Sequence, residues 1–285
     1  MNALNPQLTW QVFPSAPLRT LGDPPPPGQQ FRTWPPISST LIAGENDAVL
    51  VDAPVTVSQA RALADRVAAS GKNLTGIYIT HGHPDHWFGA AVLLDTFPGA
   101  RLVALPSVVG QMRKYLAPDV LAVWQERFPG EIPGDLAVAE ELTGRAGEVE
   151  VEGRELVPMA LGHTDTDDTT CLYVPSLSLV AAGDAVYNGV YLQLRESTPA
   201  TRQEWIAALD IIEALHPAVV IAGHKAPGAD DTPASIGETR RYIRDFEQVL
   251  AEQDTALGVY QAMISRYPQR VFPGALWQSA SELKP

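Results

Sequence analysis

Short apolar runs alternate with amphipathic segments along most of the chain, which predicts a layered α/β protein. Ser39–Ala43 and Ala48–Val51 are apolar runs separated by a short polar turn, a pattern typical of paired strands. A helix is predicted after them, because Thr56 and Gln59 have the spacing of a capping box and the apolar residues that follow recur at helical intervals. Ile77–Ile79 is then a short buried strand.

The same alternation continues to the end of the chain. It predicts a helix near 88–96, a strand near 101–105, helical segments over 107–128, several strands between 136 and 182, a helix starting at Thr201 with Glu204 in a second capping box, a strand at 218–222 and two helices in about the last 50 residues. No stretch after the first segment resembles a linker, so we expect a single domain over 1–285. Its parts would be an N-terminal strand and proline-rich loop in 1–37, a possible helical lid in 107–133 and C-terminal helices in 230–285.

Composition and charge narrow the classes of function. Of the 285 residues, 45% are hydrophobic and 19% are charged, which is the balance of a globular protein. The formal net charge of -13 argues against a nucleic-acid partner or an anionic membrane surface. No apolar stretch reaches about 18 residues, and the first residues do not have the pattern of a secretory signal, so we expect a cytoplasmic protein. Cys171 is the only cysteine, which excludes an intrachain disulfide.

Candidate chemistry is concentrated in residues 80–89, Thr-His-Gly-His-Pro-Asp-His-Trp-Phe-Gly, directly after a predicted strand. Three histidines and one aspartate lie close together there, and imidazole and carboxylate are the usual ligands of zinc. Two further histidines, His163 and His224, follow a glycine at the end of a predicted strand, as Asp184 does. Pro84 favours a rigid loop that sends ligands in two directions, so the pattern predicts two adjacent metals rather than one.

Five motifs in order resemble the metallo-β-lactamase superfamily, in its dinuclear hydrolase form, over roughly residues 38–225. The motifs are Val51-Asp52 after a strand, the cluster His81–His86, Gly162-His163-Thr164, Gly183-Asp184 and Gly223-His224. The resemblance implies an αβ/βα four-layer sandwich, in which two mixed sheets lie face to face with helices outside. The metal site would lie at one edge, between the sheets.

The resemblance also implies metal-ligand roles for seven residues, and for Asp52 the role of orienting a ligand without touching metal. The ligands fall into three groups: His81, His83 and His163 on the first metal; Asp85, His86 and His224 on the second; and Asp184 as a bridge between both. The implied cofactors are two zinc ions per chain, with manganese or iron as alternatives.

Two metals about 3.5–4 Å apart can share a hydroxide at neutral pH, because metal binding lowers the pKa of water to about 7. The motifs therefore predict a metal-dependent hydrolase in which the bridging hydroxide cleaves an ester, thioester, lactone or amide bond of a small molecule. Asp184 and Asp85 are the predicted catalytic residues. Asp184 would hold both metals, and Asp85 could also carry a proton if it is not fully committed as a ligand.

Four other functions of the same fold stay open at this point. A mononuclear iron oxidoreductase acting on persulfides keeps much of the motif, although Asp184 and His224 together favour two metals. A β-lactamase is less favoured, because β-lactamases with the His-x-His-x-Asp-His motif typically lack the bridging aspartate. A phosphodiesterase keeps every ligand, and the acidic charge argues mildly against it. A non-catalytic member would usually have lost ligands, and none is missing here.

Several residues are candidates for contact with the small-molecule substrate. Residues 163–169 form a longer and more acidic loop than in many relatives, and we expect its carboxylates to cap backbone N–H groups or to face solvent, with contact to a substrate amine as the alternative. The candidate pocket residues are Trp87, Tyr115, Trp124, Tyr187 and Tyr191, with Trp34 as a weaker one. Core packing is the competing interpretation for each. The charged C-terminal helices leave a homodimer open.

Overall fold

The computed structural model describes residues 7–145 and 147–284. Two mixed β-sheets lie face to face, and helices cover the outer side of each sheet. This is the αβ/βα sandwich that the motifs predict, so the expected fold is confirmed.

The first sheet contains six strands, numbered here in chain order. They are β1 (Thr9–Pro14), β2 (Ser38–Ala43), β3 (Asp47–Val51), β4 (Asn73–Tyr78), β5 (Arg101–Ala104) and β6 (Glu140–Glu141). β2 pairs antiparallel with β1 and β3, and from β3 to β6 each strand runs parallel to the next. Every residue of β2 is buried, because a sheet between two layers has no face left for solvent.

The second sheet contains four strands. They are β7 (Val157–Gly162), β8 (Thr169–Val174), β9 (Leu179–Ala181) and β10 (Val219–Ile221). β7, β8 and β9 are antiparallel neighbours, whereas β9 and β10 are parallel. Three two-residue ladders lie outside both sheets: Leu18–Arg19 with Thr33–Trp34, Glu150–Val151 with Arg154–Glu155, and Tyr187–Asn188 with His224–Lys225.

The helices divide between the two outer layers. They are α1 (Val57–Ala69), α2 (Ala90–Thr96), α3 (Pro106–Lys114), α4 (Pro118–Arg127), α5 (Pro199–Ala214), α6 (Ala234–Glu252), α7 (Ala256–Arg266) and α8 (Gly274–Leu283). The first four pack on the first sheet and the last four on the second. Within the described residues, none of the helices combines the length and the apolar character that a bilayer crossing requires.

Each helical layer packs on its sheet through an apolar cluster, and a third apolar cluster lies between the two sheets. It contains Ile42 and Val51 from the first sheet with Leu172 and Ile221 from the second, each at most 2% exposed. Burial of such side chains stabilises the fold by roughly 1.5–3 kcal/mol each. The two sheets are therefore held as one body, which fixes the strand ends from which the candidate ligands project.

Two of the predicted helix boundaries are wrong, and proline explains both. α5 begins at Pro199, and its capping box pairs Thr198 with Thr201 rather than Thr201 with Glu204, because proline suits the first helical position. The C-terminal segment forms three helices instead of two, with Pro268 and Pro273 between α7 and α8. The predicted cap of α1 is confirmed, since the Thr56 hydroxyl accepts from the Gln59 N–H.

Candidate metal centre and its cavity

The candidate ligands come together because several strands end at the same edge of the sandwich. His81 follows β4, and a short helical turn, Pro84–His86, carries Asp85 and His86. Asp184 lies in the turn Gly183–Ala185 after β9, and His224 follows β10. Side chains at such strand ends are placed by the whole sheet rather than by the flexible parts of a loop.

A glycine allows two of these turns to approach each other closely. A Cβ atom at Gly223 would collide with the Asp184 carboxylate and with the backbone of Gly183. Because glycine has no Cβ, the loop before His224 can lie directly against Asp184. Packing therefore requires glycine at position 223, so this residue has a structural role and does not only mark the motif in the sequence.

Asp184 faces histidines on two sides. Its Oδ1 atom lies 3.2 Å from His86 Nε2, and its Oδ2 atom lies 3.2 Å from His224 Nε2. His224 Nε2 is also 3.4 Å from Asp85 Oδ2. All four side chains are buried, so these contacts are little screened by water.

Among the described residues, three groups of candidate ligand atoms are tight enough to hold a metal ion. The first consists of His81, His83, Asp165 and Asp184, the second of Asp85, His86 and His224, and the third of Asp52, His81 and His86. Within each group the ligand atoms lie within 4.8 Å of one another. Nitrogen and carboxylate oxygen donors at this spacing suit zinc and similar divalent ions.

Buried imidazole nitrogens without partners support the same interpretation. The Nε2 atoms of His81, His83, His86 and His163 are buried and have no hydrogen-bond partner in the described part of the chain. A buried polar atom without a partner is costly, unless something else satisfies it. A divalent cation would satisfy these nitrogens, so the residues present fit a metal centre.

The acidic side chains shift the charge state of the centre. Burial and the neighbouring His86 lower the pKa of His81 to about 3, so that imidazole is neutral and free to act as a ligand. Burial also opposes protonation of His224, but Asp184 and Asp85 outweigh it and raise the pKa of His224 to about 10. The same attraction from His224 and His86 holds the pKa of Asp184 well below its usual range despite burial. The centre thus attracts positive charge, which a metal cation would supply.

Asp52 lies where an orienting residue is expected. Its carboxylate accepts from the Thr80 N–H and hydroxyl, both at 2.8 Å, and its Oδ2 atom lies 2.9 Å from His86 Nδ1. Because a carboxylate only accepts, the His86 proton is on Nδ1 and the Nε2 lone pair points to the centre. The Pro36 carbonyl oxygen likewise accepts from His224 Nδ1, at 2.9 Å.

In the loop after His163, one carboxylate differs from the sequence expectation, whereas Asp167 and Asp168 are exposed as expected. Asp165 neither caps the backbone nor faces solvent: it is 1% exposed, and its Oδ2 atom lies 2.8 Å from His83 Nδ1. His163 lies outside these groups of ligand atoms, with its Nδ1 atom 2.7 Å from Asp167 Oδ1. Its predicted role on the first metal stays a prediction. The His-x-Asp spacing of His163 and Asp165 was the signal in the sequence that could have marked Asp165.

A cavity opens onto the candidate centre. Its wall contains five of the six aromatic candidates, namely Trp34, Tyr115, Trp124, Tyr187 and Tyr191. The expectation for Trp87 is wrong: its side chain is fully buried against Phe88, and its indole N–H donates to the Gly82 carbonyl. The turn after His86 directs Trp87 into the helical layer rather than toward the cavity.

Two of the aromatic side chains in the wall contact predicted ligands directly. The Tyr187 hydroxyl donates to Asp184 Oδ2 at 2.7 Å, and the Trp34 indole N–H donates to Asp85 Oδ2 at 2.9 Å. The Tyr191 hydroxyl instead donates to the Tyr267 carbonyl at 2.8 Å. In the segment 107–133, Met112 packs in the core, whereas Tyr115 and Trp124 also line the cavity, and the role of a lid stays a prediction.

The sandwich and its buried histidine and aspartate cluster define a protein with a candidate metal site at the edge of two sheets. A sequence profile of the metallo-beta-lactamase superfamily matches residues 32–224. The match covers more than half of the chain, and the chain therefore belongs to this superfamily. A comparison with curated protein sequences finds no match.

Solved structures of the same fold support this placement. The chain is similar to a metallo-beta-lactamase family protein from Thermus thermophilus, with 20% identity over 96% of this chain and 91% of that chain and a TM-score of 0.66. The chain is also similar to the metallo-beta-lactamase from Pontibacter korlensis, with 14% identity over 84% of this chain and 100% of that chain and a TM-score of 0.58. A third similar structure is the metallo-beta-lactamase FIM-1 from Pseudomonas aeruginosa in its mono-zinc form, with 15% identity over 82% of this chain and 95% of that chain and a TM-score of 0.56. At these identities the likeness concerns the fold alone.

Proposed function

We propose that this protein is a dinuclear zinc hydrolase that cleaves an acyl bond of a small molecule, in an ester, thioester, lactone or amide. The observation that carries the proposal is the position of Asp184. Its carboxylate belongs to the group with His81 and His83, and it also lies 3.2 Å from both His86 and His224. One carboxylate facing two sets of buried ligands is what a shared metal bridge requires.

The first group, with His83 and Asp165, would hold one ion, and the group with His86 and His224 would hold the other. When bound, a pair of divalent metals lowers the pKa of water and polarises a substrate carbonyl, which is the chemistry of hydrolysis. The wall of the cavity beside the centre combines aromatic side chains with a few polar and charged groups, as the walls of small-molecule sites do.

Two side chains of the cavity wall position the candidate ligands Asp184 and Asp85. Burial, followed by the charge of Asp184, raises the pKa of Tyr187 well above its ordinary value, so its hydroxyl stays protonated at neutral pH. Its single O–H proton therefore holds Asp184 in place at the cavity wall. Trp34 holds Asp85 in the same way, and the second oxygen of Asp85 is left free to interact with a ligand or a proton.

The first experiment is elemental analysis of the purified protein together with rates on a panel of esters, thioesters, lactones and β-lactams. Two zinc ions per chain and turnover of one class would support the proposal and identify the bond that is cleaved. One iron per chain, oxygen consumption with persulfides and no hydrolysis would contradict it and favour the oxidative alternative.

The matched variant for this experiment is Asp184→Asn, which keeps the size of the side chain and removes its charge. We expect turnover to fall by at least about a hundredfold, because one bridging ligand orients both halves of the centre. Thermal unfolding monitored by circular dichroism checks that the fold is retained. Unchanged turnover in a folded Asp184→Asn protein would contradict the bridging role.

A further inference from the structure

Three arginine side chains lie in the wall of the cavity, beside the candidate metal centre. They come from separate parts of the chain: Arg32 from the proline-rich loop, Arg127 from the end of α4, and Arg195 from the loop before α5. Arg32 and Arg127 are only 5% and 8% exposed. Buried arginines are rare unless paired, so the partners of these groups are informative.

One carboxylate is shared between the two buried arginines. Arg127 makes a two-pronged contact with Asp23, with Nε–Oδ2 and Nη2–Oδ1 distances of 2.7 and 2.8 Å. Arg32 is left at 3.5 Å from Asp23, and among the described residues its guanidinium makes no hydrogen bond. The two buried guanidinium groups therefore share one close carboxylate. Arg195 already has a partner, because its Nη2 atom lies 2.9 Å from Glu196.

The electrostatics of Arg32 reflect both burial and its charged neighbours. Burial lowers the pKa of Arg32 to about 10; Asp23 and Asp85 oppose this shift, whereas Arg127 and Arg195 add to it. Arg32 is nevertheless charged at neutral pH. A buried guanidinium without a close acceptor gains free energy when an anion enters the cavity.

The position of Arg32 is defined by packing. Its guanidinium carbon lies 5.0 Å from the centre of the Trp34 ring, and that of Arg127 lies at the same distance from this ring. A Cβ atom at Gly274, the first residue of α8, would be 2.9 Å from Arg32 Cγ, so the side chain is packed against bare backbone. The Trp34 indole also donates to Asp85, so the Trp34 side chain links Arg32 to the candidate metal centre.

We propose that Arg32, supported by Arg127, binds a carboxylate of the substrate, so that the substrate is a small acyl compound with a monoanionic carboxylate and an apolar part that lies against Trp34 and Trp124. The inference rests on the proposed hydrolase function, since it assigns a substrate class to the same cavity. The planar guanidinium suits a carboxylate, and one guanidinium without a close acceptor suits a single carboxylate group.

The test uses two esters that differ in one carboxyl group, mono-(4-nitrophenyl) glutarate and its methyl ester, with the zinc-loaded full-length protein and with the uncatalysed rate of each ester subtracted. We expect the acid to have at least about a tenfold higher kcat/KM, the size of one charge-assisted hydrogen bond. This comparison needs no variant. Equal values for the two esters would overturn the proposal and leave the hydrolase function intact.

The variant Arg32→Gln assigns the preference to one residue. We expect the ratio of its KM for the acid to its KM for the methyl ester to rise about tenfold relative to the native protein. Arg101→Gln is the matched control, because Arg101 lies on the surface with its side chain 59% exposed and paired with Glu140. A preference for the acid that persists in folded Arg32→Gln would overturn the assignment.

Binding without turnover separates this inference from the proposed function. By calorimetry we expect monomethyl glutarate to bind at least about tenfold more weakly to Arg32→Gln than to the native protein. Binding that depends on Arg32 in a protein that hydrolyses neither ester would support the anion site and contradict the hydrolase function. Tighter binding of phenyl phosphate than of monomethyl glutarate would overturn the choice of a carboxylate.

Discussion

At the scale of single residues, the candidate centre depends on what lies behind each imidazole. Asp52 faces Nδ1 of His86, and the Pro36 carbonyl faces Nδ1 of His224. Both partners are acceptors, so they place the ring proton on Nδ1 and leave Nε2 as the ligand atom. The ligands are therefore oriented before any ion arrives.

Asp52→Asn tests this orientation. The asparagine can adopt the positive φ of 60° at this position, but its amide cannot serve both the Thr80 donors and His86 Nδ1. We expect zinc affinity, measured by competition with a chromogenic chelator, to fall roughly 10–100-fold. Asp65→Asn, on the exposed face of α1, is the control. Equal affinities for the native and Asp52→Asn proteins would show that His86 needs no such partner.

Tyr187→Phe tests the other contact made by a single hydroxyl. Removal of the 2.7 Å hydrogen bond leaves Asp184 without its donor, and we expect kcat to fall about tenfold while the ring still fills its place. Steady-state kinetics on the substrate identified by the panel measures the effect. Tyr242→Phe is the matched control, because that buried tyrosine packs in the core of the second sheet. Equal losses in both variants would mean that the Tyr187 hydroxyl has no specific role.

At the scale of elements, a single side chain anchors the turn between β2 and β3. The exposed carboxylate of Glu152 accepts the backbone N–H groups of Asn46, Glu45 and Asp47, at 2.6, 2.9 and 3.0 Å. These bonds, chiefly that from Asn46, lower the pKa of Glu152 to about 2. A turn thus depends on a residue more than 100 positions further along the chain.

The stability contributed by Glu152 should depend on pH in a defined direction. Its pKa is lower in the folded protein than the ordinary 4.5, so the contribution is complete above about pH 4.5 and is lost as the pH falls toward 2. We expect Glu152→Ala to have a lower Tm than the native protein at pH 7, with the difference shrinking between pH 4.5 and 2.5. Glu150→Ala, its exposed neighbour in the same hairpin, should show no such trend. A Tm difference for Glu152→Ala that is constant with pH would contradict the anchoring role.

At the scale of the whole molecule, the metal centre joins elements of both sheets. Ligands from the first sheet, such as His81 and His86, meet Asp184 and His224 from the second. Their negative charge is concentrated in a buried volume, where it costs free energy without a cation. Bound metal should therefore stabilise the entire sandwich.

Metal removal tests this coupling. An ion at a hundredfold excess over its Kd stabilises the folded state by about 2.7 kcal/mol. We expect chelation to lower the Tm by several degrees and zinc addition to restore it, as measured by calorimetry. The shift should be much smaller in Asp184→Asn. Identical Tm values with and without zinc would show that the centre does not bind the ion in the folded protein.

The sequence by itself was sufficient for the fold class and for most of the residues that come together in the candidate metal centre. His81, His83, Asp85 and His86 are close together in the chain, and strand ends marked by glycine bring in the rest, so local patterns carry that information. Helix boundaries were less secure, because Pro199 and Pro273 shifted them.

Only the tertiary structure decided which residues surround the ligands. Trp34 contacts Asp85 across 51 positions, and Asp23 contacts Arg127 across 104. The same holds for Asp165, which lies beside His83, and for Trp87, which is turned into the core. No periodicity records such contacts, because they result from the packing of loops that follow different strands. The metal motif is thus local information, whereas the cavity that would select a substrate exists only in the folded chain.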